Sequence, residues 1–347
     1  MPNNITKTLS LLWLLILMPL LSVGCTVADN TVIAQADTMN KQLSPAVMND
    51  AQLQNYLQSV GNRIIAAAKE LDAQRVGPKS HFQEDSSWMF GQDMKFHFVN
   101  SKALNAFTTG GEHMYIYGQL FQECQSEDEL AAVMAHEYAH VYCRHVGKGM
   151  KRQYTTLAAA AALAGAGYVA GGKEQGAQYA ALGATAGGAG AQFLNMGFTR
   201  KDEDEADKYG FMFYTRAGWD PAKFDDFFQH MIDKGYDKTP AMMSDHPTLA
   251  SRVESTQRRT SELPPNARNW QKPPIANARQ FAALKSHAAA AARNLPDDTT
   301  LANSQQLLQA LPRSCIFPAP PADEVQARQS LADRADQAQR RQRKTAQ

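Results

Sequence analysis

Residues 134–140 read MAHEYAH, two histidines four apart with a glutamate directly after the first. On an α-helix, positions i and i+4 share a face, so His136 and His140 can offer both imidazoles to one cation. Glu137 is turned by about 100° from His136, close enough to reach a water at that cation without being a ligand itself. A catalytic site of this kind needs a third protein ligand downstream and an open fourth position, whereas a structural zinc site is closed by a fourth protein ligand.

The third ligand is sought in TRKDEDEADKYG, residues 199–210. Glu203 and Glu205 lie some 200° apart on a helix, so only one can face the site. Asp207, at i+4 from Glu203, shares its face and can fix a ligating histidine from behind. This favours Glu203, and the small Ala206 allows the helix to come close. His145, five past His140, falls off the metal face, and Arg144-His145 reads as a cap on the helix C-terminus. His81, His97, His113, His230 and His287 have no partner at ligand spacing and are read as structural or surface residues.

Several elements must position these residues. Ser126 with Glu129 three later is a capping-box pattern, and Glu127 and Asp128 suit the positive end of the helix dipole. The spacing predicts a helix from there to about His145, stopping at Gly147. An earlier helix is predicted over 50–70, with Asp50 as N-cap and Leu53, Tyr56, Leu57, Val60, Ile64 and Ala67 on one face. Strand-like runs at 94–99 and 113–118, with Gly110-Gly111 as the chain reversal between them, predict a small antiparallel sheet. Further helices are expected at about 200–217, 221–234, 247–259, 275–294 and 299–311. The Ala/Gly-rich block 155–196 is broken by Gly171-Gly172-Lys173-Glu174 after about fourteen weakly apolar residues. That is short of the roughly 20 a membrane span needs, so two closely packed helices are expected there.

Length and composition fit one globular core: 347 residues, 44% hydrophobic, 20% charged, formal net charge +1. Such a balance gives no reason to expect a nucleic-acid partner. The N-terminus carries Lys7, an apolar run Leu11–Leu21, then small residues before Cys25, the pattern of a secretory signal. Leu21-Ser22-Val23-Gly24-Cys25 resembles a bacterial lipobox, which implies cleavage before Cys25 and lipidation of its sulfur. Thr26, and not aspartate, follows, which favours the outer membrane; plain periplasmic secretion is the alternative. The resulting plan is a signal peptide (1–24), a lipidated tether (25–49), a domain bearing the two-histidine helix (50–260), a Pro-rich linker (261–274) and a helical C-terminal extension (275–347) ending in disorder. Cys124, Cys143 and Cys315 then remain. Cys124 and Cys143 bracket one predicted helix, about 28 Å apart if it is continuous, too far for a disulfide, so any internal disulfide would use Cys315.

SEDELAAVMAHEYAHVYCRH, NAF followed by GG, EDEAD and DHPTLASR occur together and in order. They resemble the HtpX and CAAX-prenyl-protease family of zinc metallopeptidases, the gluzincins, and most of all its soluble bacterial envelope branch. The likeness covers about residues 50–260. It implies an α+β zincin-like domain, mostly helical with a small antiparallel sheet, and one zinc per chain. His136, His140 and Glu203 would be the ligands and Glu137 the general base and acid. His246 and Arg252 match later family positions that can help hold an oxyanion. Asn105, Ala106 and Phe107 match the edge strand that pairs with substrate backbone, with Thr109 where relatives usually carry proline. His246 is also placed to approach the zinc in a resting form, displaced when the 234–245 loop moves. The implied activity is endoproteolysis of unfolded or misassembled envelope proteins. The alternative is a chaperone-like module for outer-membrane protein assembly with a silent or regulated site.

Overall fold

A computed structural model describes residues 27–78, 85–155, 198–236, 247–294 and 299–311. Cys25, His81, the block beyond residue 155, His246 and Cys315 lie outside these residues. Helix α1 (Asp29–Leu43) occupies the stretch expected as a tether. Val32, Ala36, Met39 and Leu43 recur three or four residues apart and are all buried, so this polar segment docks by one narrow apolar face. Helix α2 (Ala51–Ala73) follows the predicted pattern. Asp50 accepts from the Leu53 amide at 3.0 Å, and Leu53, Tyr56, Leu57, Val60 and Ile64 face the core.

Three strands follow: β1 (Lys95–Val99), β2 (Ala106–Thr108) and β3 (His113–Tyr117). The sheet order is β1-β3-β2, so β2 lies at an edge. The expected antiparallel sheet is corrected here to a mixed one. Strands β1 and β3 are parallel, Lys95 opposite His113, and only β2 and β3 are antiparallel, Ala106 opposite Ile116. The cause is the place of the turn: Gly110, in the left-handed region at φ 75°, reverses the chain between β2 and β3. A short strand thus intervenes where a direct hairpin was expected.

Helices α3 (Gly118–Glu123) and α4 (Glu127–Tyr142) lead into the motif, and residues 145–155 form α5. Beyond the block come α6 (Arg200–Ala217), α7 (Asp226–Asp233), α8 (Leu249–Ser261), α9 (Ala278–Ala291) and α10 (Thr299–Ala310). Among the described residues no helix is long and apolar enough to cross a membrane.

The stretch expected as a linker is fastened down. Lys272 donates its amide to the Gly218 carbonyl at 2.8 Å, and Arg63 donates to the Pro273 carbonyl at 2.9 Å. The knot is Glu127, buried at the start of α4. One carboxylate oxygen accepts from the Trp219 indole (3.0 Å) and the Ile275 amide (2.7 Å). The other accepts from the Ala276 amide (2.6 Å) and the Tyr56 hydroxyl (3.2 Å). A carboxylate can be buried when its lone pairs are filled this way, and the four donors come from three separate parts of the chain, Tyr56, Trp219 and the adjacent Ile275 and Ala276. Tyr117 then donates to the Leu308 carbonyl at 2.8 Å, which ties α10 to the sheet.

Two linked imidazoles on the sheet, His97 buried and His113 partly buried, make the fold acid-sensitive. Asp37 accepts from His113 Nε2 (3.2 Å), so His113 Nδ1 accepts from His97 Nε2 (3.0 Å). His97 Nδ1 is buried with no hydrogen-bond partner among the described residues. Burial first, then His113 and Lys95, bring the His97 pKa down to about 4. The unfolded chain therefore takes up a proton near pH 6.5 that the folded protein refuses until about pH 4. Stability is full above about 6.5 and falls as pH drops toward 4, by up to about 3 kcal/mol. His97→Phe, which keeps the stacking on Tyr115, is expected to flatten that limb in urea titrations between pH 4 and 7; an unchanged slope would contradict it.

Candidate metal centre

Helix α4 is buried along nearly its whole length, so its polar residues need partners from neighbouring elements. Ser126 accepts from the Glu129 amide at 3.3 Å, while the Glu129 carboxylate turns back to the Gln125 amide at 2.9 Å, one residue short of the full capping box. Helix α6 starts with the complete box, Thr199 and Asp202 each holding the other's amide. The two helices meet at backbone distance. A Cβ added at Gly210 would lie 2.9 Å from His136 Cα, and Ala206, one turn earlier on α6, is fully buried.

That approach brings His136, His140 and Glu203 together, their donor atoms all within 4.8 Å of one another. His136 Nε2 lies 3.1 Å from His140 Nε2 and 3.7 Å from a Glu203 oxygen. Ligands at about 2.0–2.1 Å around a tetrahedral zinc are separated by about 3.3 Å, so this donor set fits such an ion. All three residues are buried, as is Glu137 on the same helix.

Each histidine is held from behind. His136 Nδ1 lies 2.9 Å from Asp207 Oδ1, and Arg252 Nε donates to Asp207 Oδ2 at 2.8 Å. Burial opposes ionisation of Asp207, but Arg252 and His136 outweigh it and hold the carboxyl well below the usual range. Arg252, expected at an oxyanion, pairs with Asp207. It is itself buried, lies over the Phe228 ring at 4.0 Å, and reaches the Nδ1 side of His136, opposite the Nε2 that faces the donors. Its geometry is that of a brace for Asp207.

His140 has a longer support that the motif reading misses. Helix α4 does not run to His145: it ends at Tyr142, and Arg144 adopts a left-handed backbone at φ 56°. The residue is pinned by Asp29 at the start of α1, 3.1 Å from Nε and 3.0 Å from the terminal nitrogen. The reversal corrects the reading of His145 as a cap. Its ring folds back, buried, with Nδ1 2.9 Å from His140 Nδ1 and Nε2 2.9 Å from Glu205. The His145 hydrogen bond brings the Glu205 pKa down to about 2, against the effect of burial, with help from Lys148 at 3.1 Å. Phe198 stacks on His140 with centroids 4.1 Å apart. A histidine five residues past His140 was the available signal, masked by the expectation of one continuous helix.

The structure places Ala106 and Phe107 on edge strand β2, and Asn105 just before it, its carbonyl accepting from the Tyr117 amide at 3.2 Å. Cys124 and Cys143 are buried free thiols. His246 and Cys315 lie outside the described residues, while Pro247 precedes α8, whose N-cap is Thr248.

Residues 51–260 match Peptidase family M48. The sequence is 31% identical over 247 residues to a putative beta-barrel assembly-enhancing protease of Vibrio cholerae, covering 70% of this chain and 46% of that protein. It is 28% identical over 250 residues to the beta-barrel assembly-enhancing protease of Escherichia coli K12, covering 70% and 47%. It is also 29% identical over 171 residues to the metalloprotease LoiP of that organism, covering 49% and 64%. The chain thus spans less than half the length of the first two relatives. It belongs to peptidase family M48, and with it to the metallopeptidases.

The α4–α6 contact generates a test. Alanine is favoured over glycine within a helix by about 1 kcal/mol, so on propensity alone Gly210→Ala would stabilise. The added Cβ instead meets backbone 2.9 Å away and must part the helices that carry the donors. Gly210→Ala is expected to lower stability by about 1–3 kcal/mol and to weaken metal binding. Thermal melting and chelator competition check both; a stabilised variant with full metal affinity would contradict the close-contact account.

Proposed function

We propose that the chain is a zinc-dependent endopeptidase of the bacterial envelope that cuts unfolded or misassembled proteins. The observation that carries this reading is the convergence of His136, His140 and Glu203, with Glu137 one residue from the first ligand. A zinc ion held by those three would supply Lewis acidity, lowering the pKa of a water and polarising the scissile carbonyl. Glu137 takes the proton of the attacking water and returns it to the leaving amine. Asp207 accepts from His136 Nδ1–H and leaves Nε2 as the donor lone pair, and Arg252 keeps Asp207 ionised and in place. Backbone edge β2 accepts an extended segment of substrate, a mode that recognises main chain more than sequence. The requirement for an extended segment selects unfolded polypeptide.

The envelope assignment draws on two supports. The relatives named as beta-barrel assembly-enhancing proteases point to outer-membrane proteins as a substrate class. The Leu21–Cys25 sequence supports a lipid anchor at Cys25 on the periplasmic side of the outer membrane; several acyl chains together give stable anchoring.

Glu137→Gln is expected to keep about one zinc per chain and to lose casein digestion by a factor of a hundred or more. Glu203→Gln is expected to lose both, because it removes a ligand and not only the base. Metal analysis beside casein digestion separates the two variants. Full digestion by Glu137→Gln would refute the mechanism.

A further inference from the structure

We propose that Glu205, acting through His145, is a positioning pair that fixes the tautomer and aim of His140. The proposal rests on the reading of His140 as a metal ligand. To present Nε2 as a lone pair, a neutral His140 must carry its proton on Nδ1, and a buried N–H needs an acceptor. The atom opposite is His145 Nδ1, at 2.9 Å. If His145 accepts there, its own proton sits on Nε2 and is donated to Glu205 at 2.9 Å. An ionised carboxylate only accepts, so Glu205 sets the direction of both hydrogen bonds. Reversing either bond would place a proton on His140 Nε2, where the donor lone pair is needed.

The surroundings suit that task. His145 is fully buried, so each of its ring nitrogens carries a cost if left unpaired. Lys148 anchors the Glu205 carboxylate at 3.1 Å, and Phe198 stacks on the face of His140 and leaves its edges for the two in-plane contacts. Asp207 does for His136 in one step what Glu205 does for His140 in two, and both carboxylates ride on α6 with Glu203. Cys143, His145 and Glu205 are also close enough to hold an ion of their own. Lys148 already places a cation on that carboxylate, and an ion there would take a nitrogen that the relay uses.

The test is zinc affinity, read by competition with a chromophoric chelator on the full-length protein, with zinc stoichiometry and melting of the metal-free form alongside. His145→Phe and Glu205→Ala are each expected to weaken zinc binding by about ten- to a hundredfold. Glu205→Gln, whose amide oxygen still accepts, is expected to lose less than about threefold. Adding Glu205→Ala to His145→Phe is expected to change nothing further, because the carboxylate acts only through the ring. The metal-free Glu205→Ala protein loses the contacts to His145 and Lys148 and is expected to melt lower than wild type, but to be fully folded at the temperature of the zinc titration. Should His145→Phe fail to fold, the contrast between the Ala and Gln variants at 205 carries the test. Wild-type affinity in Glu205→Ala, equal losses in Ala and Gln, additive losses in the double variant, or a second bound zinc that Cys143→Ser removes would each overturn the relay. A His140→Ala protein with undiminished affinity would instead overturn the metal-site reading, and the relay with it.

Discussion

Helices α4 and α6 meet at backbone distance, and the rest of the centre depends on that contact. Two histidines a turn apart fix a line, and a third donor must come from elsewhere within a few ångströms. Only a neighbouring helix without a side chain at the crossing can deliver it. Gly210 provides the gap against His136, and buried Ala206 adds only a methyl group one turn earlier. Glu203 then arrives with Glu205 and Asp207 on the same helix, so a single packing contact places the third candidate donor and the two carboxylates that face His145 and His136.

The contact carries an electrostatic cost. Asp207, Arg252, Glu137 and Glu203 are removed from water together, and isolated charges could not be. Asp207 and Arg252 pair directly, and each meets His136. Glu127 solves the same difficulty at the other end of α4 with four donors, two of them amides of the C-terminal segment. The C-terminal segment thereby helps secure the start of the helix that bears the motif. Segments expected to flank the domain, α1 and the stretch from 261 to 276, are part of how the helix is held.

Much of the site was legible because its chemistry demands fixed spacing. His136, Glu137 and His140 follow from helical geometry, and Glu203 with Asp207 follows from phase on a second helix. The donor set and the Asp207 contact have the arrangement that phase predicts. Legibility failed where one residue behaves against its type. Arginine seldom adopts a left-handed backbone, so the end of α4 at Arg144 and the return of His145 had no sequence signal beyond the bare spacing. Parallel pairing of β1 and β3 was hidden by β2, three residues long and without a strong pattern. The face of α1 comprises four residues in a polar segment, below what composition reveals. Arg252 shows another limit: a position can be matched from relatives while its partner, Asp207, becomes visible only in three dimensions.

On the proposed reading one cation sits between two imidazoles and a carboxylate, with no sulfur. X-ray absorption at the zinc edge, on full-length protein loaded with one equivalent, tests it directly. A nitrogen and oxygen shell at about 2.0–2.1 Å with the outer scattering of two imidazoles is expected. A sulfur shell at about 2.3 Å would instead place the ion at a cysteine such as Cys143 and rule out the His136, His140 and Glu203 site.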